Sequence, residues 1–521
     1  MKKLPIGIQT FSDFIEENYL YVDKTEYIYR LLTGEGKYYF LSRPRRFGKS
    51  LLVSTLREIF SGNRELFKGL WIYDKIDWIR HPVIFVDFLG LNYKTPQRLE
   101  ETLGRLMDDI AASYGISLDL RKYHNEKFKE LVEKLSVEGE VVILIDEYDK
   151  PIIDRIEDKE TARANRDILR DFYGVIKAVD PYIKFAFITG VSKFSKVSVF
   201  SGLNNLDDIT LDQRYAAMLG YTQDELHRYF DDRMEAFCKL KELKKEELQD
   251  DIKYWYNGYS WDGQNYVYNP FSLLKFFHKS QFSNYWFESA TPSFLVKLIK
   301  EKEYRVQDVA QLESYKAGES VFESFEIEKM NVTSLLFQTG YLTIREIEPI
   351  DRNRRLYVLS YPNIEVKESF MEHLLAEFSE KFADEVSVII YELRKSLSAN
   401  QIDSFIEAMK SVFARISYDM FVKDREGYYQ TVIYLILMLI GIDIKTEVET
   451  NLGRLDAFIE TDTHIYIMEF KMGSAREALD QIKEKKYHQG FLNTGKAVTI
   501  IGVGFDAEVR NIKEYRSETI S

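Results

Sequence analysis

The distribution of apolar and polar residues changes character several times along the chain. Up to about residue 200, short continuous apolar runs alternate with longer amphipathic stretches. The runs Tyr38–Ser42, Val83–Asp87, Val141–Asp146 and Lys184–Thr189 are each five or six residues long, the length and pattern of strands covered on both faces. Between them, Lys49–Phe60 and Pro96–Tyr114 place apolar residues at helical spacing. This alternation predicts a parallel sheet clad in helices, so the expected fold class is α/β. Residues 216–300 are polar, with Lys/Glu-rich faces such as Glu235–Asp251, and predict a helical lid. Over 301–370, a helix-like Val332–Phe337 precedes Tyr341–Ile347, a turn at Asp351–Arg354 and Leu356–Ser360. Helix followed by hairpin predicts a winged-helix-like module. Residues 371–425 read as a helical connector, and 426–521 as helix, strand, strand, strand, helix, strand.

Composition narrows the function classes. At roughly 100–200 residues per domain, 521 residues predict several domains. The net charge of −13 argues against coating nucleic acid through bulk charge, although a local basic face or bound metal can still grip it. The single cysteine, Cys238, excludes an intrachain disulfide and a multi-Cys zinc site. The longest apolar run, Val432–Ile442, has 11 residues, too few to span a bilayer. No apolar signal core follows Met1-Lys2-Lys3. A cytoplasmic protein without a membrane partner is expected.

Arg43-Pro-Arg-Arg-Phe-Gly-Lys-Ser50 joins the first apolar run to the first amphipathic stretch. Main-chain N–H groups opening a helix can cradle phosphate oxygens, here over Phe47, Gly48, Lys49, Ser50 and Leu51, and Arg45 and Arg46 in the loop itself are placed to contact phosphates in cis. Lys49 would reach the β- and γ-phosphates, and the Ser50 hydroxyl would ligate Mg²⁺. The generic pattern G-x-x-x-x-G-K-[ST] fails at its first position, where Arg43 stands. A second element supports the reading. Val141-Val-Ile-Leu-Ile-Asp-Glu147 is an apolar run ending in two carboxylates, with Asp146 97 residues beyond Lys49. Asp146 would hold Mg²⁺ through water, and Glu147 would polarise the attacking water. Thr189, with Ser192 after it, ends the next run and is placed to sense a γ-phosphate or to satisfy a strand-end carbonyl. Arg214 is better read as a surface ion pair than as an arginine finger.

Tyr21-Val-Asp-Lys-Thr25, Ser42–Ser50, Ile145-Asp-Glu-Tyr-Asp-Lys-Pro151, Phe200–Leu206, Trp255-Tyr-Asn-Gly-Tyr259 and Tyr268-Asn-Pro270 resemble the AAA-ATPase-like family of P-loop ATPases, related to the archaeal ATPase and STAND groups. Arg43 matches that family's own habit. The resemblance covers about residues 4–300 and implies a P-loop ATPase domain over 1–215, ATP as ligand, and Tyr21–Thr25 near the adenine.

Three pieces carry the candidate chemistry of the last segment. Glu426 opens an apolar helix, Asp456 lies in Gly453–Ile459, and Glu469 and Lys471 lie in Ile465–Lys471. Residues at i and i+2 of a strand share a face, and a hairpin turning at Glu460–His464 would bring Asp456 beside Glu469. Two carboxylates make a hard oxygen site for Mg²⁺ or Mn²⁺, and Lys471 would orient water or stabilise developing charge. Asn451–Asp456, Met468–Lys471 and Gln481–Tyr487 resemble the PD-(D/E)XK nuclease superfamily over about 426–510. That likeness implies a small α/β restriction-endonuclease-like domain, with Gln481 as an auxiliary polar residue and Glu426 as a further metal ligand. Glu447 and Glu449 are alternatives to Glu426, and Gln430 stands where relatives often carry His. Residues 426–521 hold 11 Lys plus Arg against 15 Asp plus Glu, with one small basic patch at Lys483, Lys485 and Lys486.

The expectation is an ATP-binding and ATP-hydrolysing protein joined to a metal-dependent nuclease-like domain acting on nucleic acid, DNA ahead of RNA, with homo-oligomerisation open. The alternative is a nucleotide-dependent switch or assembly protein whose last domain binds without cutting. A nucleic-acid regulator acting through Arg345, Arg352, Arg354 and Arg355 of the hairpin is a third reading, less favoured than a packing role.

Overall fold

The computed structural model describes residues 1–193, 199–200, 203, 205–286, 314–322, 331–352, 354–379, 383–414, 425–440, 443–450, 453–491, 494–506, 508 and 511–520. Side chains are described for these except 378–379, 383–384, 425–431, 434, 443–450 and 453–456. Two compact units divide the chain. One contains Met1–Leu295 and Leu312–Lys367, the other Glu368–Ser521.

The first unit is built on a five-stranded parallel sheet. Its strands are β1 (Tyr38–Ser42), β2 (Val83–Asp87), β3 (Val141–Asp146), β4 (Ile183–Gly190) and β5 (Asp207–Asp208), in the order β2-β3-β4-β1-β5. All residues of β1 and β3 are buried, as expected of strands covered on both faces. Helix Lys49–Phe60 turns Leu52, Val53, Leu56, Ile59 and Phe60 inward, an apolar stripe of helical period. Helix Pro96–Ser113 begins with Pro at its first turn, and the Thr95 hydroxyl accepts from the Arg98 amide. Asp149 explains the acidic end of the Ile145–Pro151 motif. Its buried carboxylate accepts from the Ser192 amide and hydroxyl at 2.6 and 2.5 Å and from the Val191 amide at 3.1 Å, fixing the exit of β4.

The lid helices Gln223–Lys241, Lys245–Tyr256 and Pro270–Lys279 pack round an aromatic cluster that includes Phe230, Tyr256, Phe276 and Phe277. The Thr222 hydroxyl and the Glu225 carboxylate form a reciprocal cap on the first of them. Helix Val332–Thr339 lies between β6 (Tyr315–Ala317) and the hairpin of β7 (Thr343–Pro349) and β8 (Arg355–Ser360), and the three strands form an antiparallel sheet in the order β6-β8-β7. Lid and hairpin are stitched together. The Ser260 amide donates to the Thr343 hydroxyl at 2.7 Å, the Ile344 amide to the Ser260 carbonyl at 3.2 Å, and the Tyr266 hydroxyl to the Arg345 carbonyl at 2.6 Å.

Lid, hairpin and parallel sheet share one compact unit through Lys367. Gly340 is one contact point. It ends its helix at φ +93°, and a Cβ there would lie 2.7 Å from Pro44 Cβ, so only glycine fits both the left-handed backbone and the approach.

The second unit contains helices Ala383–Ser398, Ile402–Phe413 and Arg425–Ile440 and a mixed sheet of β9 (Asp443–Thr450), β10 (Gly453–Glu460), β11 (His464–Met472), β12 (Ala497–Asp506) and β13 (Asn511–Ile520). The order is β13-β12-β11-β10-β9. Only β11 and β12 run parallel, and helix Ala475–Glu484 makes the crossover between them. The final strand β13 lies beyond the sequence-based expectation.

Candidate functional site

A cavity of about 420 Å³ opens at the carboxyl ends of the first sheet, within the ~300–1,000 Å³ typical of small-molecule sites. The turn after β1 forms one wall. Arg45, Arg46, Phe47, Gly48, Lys49, Ser50 and Leu51 all line it, as does Glu147. Gly48 caps the helix at φ +92°, a conformation open to glycine. Arg46 at φ +69° and Glu147 at φ +53° adopt the left-handed region without that freedom, at a cost of ~1–3 kcal/mol each.

Burial sets the electrostatics. Lys49 is 6% exposed, and its ammonium donates to the Arg43 and Pro44 carbonyls, both at 2.9 Å. Burial lowers its pKa, opposed by Asp146, Glu147 and Asp149. Asp146 is 2% exposed. Burial raises its pKa to about 6, while the hydrogen-bonding Ser50 hydroxyl and the Lys49 charge pull it back. Ser50 and Asp146 therefore meet, and the Asp146 carboxylate also accepts from the Glu147 amide at 3.0 Å. Burial likewise raises the Glu147 pKa, against the nearby Lys49 and Lys150 charges. Lys150 lies 3.8 Å from the Glu147 carboxylate and 3.2 Å from that of Asp154.

Thr189 does not line the cavity. It is fully buried and donates its hydroxyl to the Leu41 carbonyl at 2.9 Å. Arg214 is exposed and bonded to Asp212. Tyr21, Val22 and Lys24 also line the cavity, with Ile28, Leu219 and Tyr221. The Lys24 ammonium bonds the Glu225 carboxylate at 2.6 Å and the Ala217 carbonyl at 2.9 Å. Asp87 and Lys150 are cavity residues that sequence reasoning passed over. The available signal was the likeness of Val83–Asp87 to Val141–Asp146, two apolar runs each ending in Asp.

The family profile described as "Predicted AAA-ATPase" matches residues 5–200. A protein of Azotobacter chroococcum mcd 1, described as "Uncharacterized protein in vnfD 5'region", is 40% identical over 532 aligned residues, covering 100% of this chain and 99% of its own. The chain belongs to the AAA-ATPase-like family. Among solved structures, the Aeropyrum pernix ORC1 protein in complex with DNA is 11% identical at a TM-score of 0.27, covering 70% of this chain and 97% of its own. The ORC2 protein of the same organism is 13% identical at 0.18, covering 67% and 92%. Scores this low carry no argument.

In this AAA-ATPase-like protein the departure at Arg43 has a physical basis. The side chain is 1% exposed, donates to the Thr210 and Ser42 carbonyls at 2.8 and 2.9 Å, and lies 3.9 Å above the Trp261 ring. It thereby pins the start of the phosphate turn to the segment after β5 and to the lid. Further along the turn, Phe47 meets Tyr259 and Trp261 edge-on at 4.8 and 5.4 Å, and the Trp286 indole donates to the Arg45 carbonyl at 3.2 Å.

The PD-(D/E)XK nuclease superfamily profile matches residues 424–515. In the second unit Glu469 is 2% exposed, accepts from the Gln481 side-chain amide, and lies 3.9 Å from the Lys471 ammonium. Glu469, Lys471 and Gln481 thus converge. Asp456 precedes Ala457, which pairs with Met468, the residue before Glu469. The turn between β10 and β11 closes with the Thr461 amide donating to the His464 carbonyl at 2.8 Å. The side chains of Glu426, Gln430, Glu447, Glu449 and Asp456 lie outside the described residues. Among the described residues, no three His, Cys, Asp or Glu side chains group closely enough to enclose a metal ion, and no helix is long and apolar enough to cross a membrane.

Proposed function

We propose that the protein binds ATP with Mg²⁺ at the turn Arg43–Ser50, hydrolyses it, and carries a metal-dependent nuclease-like domain that acts on nucleic-acid phosphodiesters. The single observation that supports this most is that Lys49, Ser50 and Glu147 line one cavity while the buried Asp146 carboxylate, behind its wall, bonds the Ser50 hydroxyl. The amides after Arg45 would take the phosphate oxygens, and Lys49 would leave its two carbonyl partners for the β- and γ-phosphates. Ser50 and Asp146 offer the hard oxygen donors that Mg²⁺ accepts, the ion supplying charge neutralisation on the triphosphate. Glu147, with its pKa raised, fits the role of orienting and deprotonating the attacking water. The apolar stretch around Tyr21, Val22, Ile28 and Leu219 suits the base. In the second unit, Glu469 with Asp456 would hold Mg²⁺ or Mn²⁺, with Lys471 beside the scissile phosphate and Gln481 orienting Glu469. DNA is the favoured substrate.

The test uses the full chain, with ATP turnover and cleavage of several DNA and RNA forms measured in Mg²⁺ or Mn²⁺. Lys49→Ala should lose nucleotide binding. Lys471→Ala should lose cleavage by more than about 100-fold while ATP binding persists. Intact DNA and RNA under every metal, with nucleotide-dependent self-association instead, would replace the nuclease reading with that of a switch.

A further inference from the structure

β2 and β3 are parallel neighbours, and their register sets Asp87 directly opposite Asp146. Both strands end at the edge of the sheet where the phosphate turn lies, and Asp87 lines the cavity together with Lys49, Ser50 and Glu147. One Asp87 oxygen accepts from the Leu89 amide at 2.8 Å, capping the single turn Phe88–Gly90. That bond fixes the carboxylate. The other oxygen has no hydrogen-bond or ion-pair partner among the described residues, whereas Glu147 has Lys150 opposite it. Two carboxylates on neighbouring strands at this register repel each other when both are ionised. A divalent cation between them and a triphosphate would relieve that repulsion. Mg²⁺ retains several waters while taking few protein ligands, so a carboxylate can serve it through those waters.

We propose that Asp87 is a positioning residue for the nucleotide's magnesium, holding the ion's waters beside Asp146 from the neighbouring strand. The inference rests on the ATP-binding reading above and adds a second strand to that site. A purely structural role for Asp87, as the cap of Phe88–Gly90, is the competing account, and the two separate cleanly. Asp87→Asn keeps an oxygen that accepts from the Leu89 amide and loses only the charge. Asp87→Ala loses both.

The experiment titrates full-length wild type, Asp87→Asn and Asp87→Ala with a fluorescent ATP analogue, once in excess Mg²⁺ and once in EDTA, and records a melting curve for each variant. Wild type should gain affinity on adding Mg²⁺. In Asp87→Asn that gain should shrink by ~10–100-fold, the usual effect of losing an outer partner of a metal, with affinity in EDTA and the melting curve unchanged. Asp87→Ala should lose the same gain and melt earlier. An undiminished gain in Asp87→Asn, with wild type binding normally, overturns the role of Asp87 and leaves the ATP site standing. Failure of wild type to bind the analogue in either buffer overturns both.

Discussion

Restoring glycine at the first position of the phosphate turn should damage the protein. Arg43→Gly recreates the generic G-x-x-x-x-G-K-S pattern, yet the side chain it deletes is built into the turn. Arg43 makes two charged hydrogen bonds of 2.8 and 2.9 Å, to Thr210 and Ser42, and stacks 3.9 Å from Trp261. Such bonds contribute ~1.5–3 kcal/mol each, and a desolvated cation–π contact ~2 kcal/mol. Burial offsets part of this, lowering the Arg43 pKa to about 9, a group still charged at neutral pH. The net loss on deletion is ~1–3 kcal/mol. At roughly 2 °C per kcal/mol for a unit of this size, scanning calorimetry of the nucleotide-free chain should show a fall of ~2–6 °C. Nucleotide affinity should fall too, because the Arg43 and Pro44 carbonyls that hold Lys49 lose their anchor. Arg43→Lys should lie between, since an ammonium keeps the charge but not the planar fork. If Arg43→Gly melts with wild type and binds ATP as well, the anchoring argument is wrong.

Two further substitutions probe the same site. Asp146 has a folded pKa of about 6 against an ordinary 3.8, so its ionisation favours the unfolded chain as pH rises from about 4 to 6 and costs ~3 kcal/mol by pH 7. Asp146→Asn should therefore melt higher than wild type at pH 7.5 without nucleotide, lose that advantage near pH 4, and gain nothing from Mg²⁺–ATP. A lower melting temperature at pH 7.5 would contradict this. Gly340→Val forces a branched side chain into φ +93° and against Pro44. Urea unfolding should show a loss of ~2–5 kcal/mol together with weakened nucleotide binding, and an unchanged midpoint would count against the contact.

The sheet of the first unit was readable because its central strands are continuous apolar runs that need no tertiary information. β1, β2 and β3 begin and end where the runs do. The placement of Lys49, Ser50, Asp146 and Glu147 was readable from the same runs, since Lys49 and Ser50 open the helix after the first run and Asp146 and Glu147 close the third. Asp87 was not, because one Asp ending a strand is ambiguous until the strand order puts it beside Asp146. Nor was the work of Arg43, whose partners Thr210 and Trp261 are far away in sequence. β13 escaped because it is an edge strand with one buried residue, Ile512, and a run of charged positions, so it lacks the apolar signature of its neighbours. The division near Lys367 lies within three residues of the change in pattern at 370, whereas the joining of lid and hairpin stays hidden until their hydrogen bonds are seen.

The grip of Trp286 on the Arg45 carbonyl and of Gly340 on Pro44 bears on how the molecule is made. On the ribosome, the turn is synthesised early but acquires its last walls only after some three hundred more residues have emerged. The turn thus reaches its final shape late in translation, and a nascent chain released before then would carry the Arg43–Ser50 motif without the scaffold that shapes it.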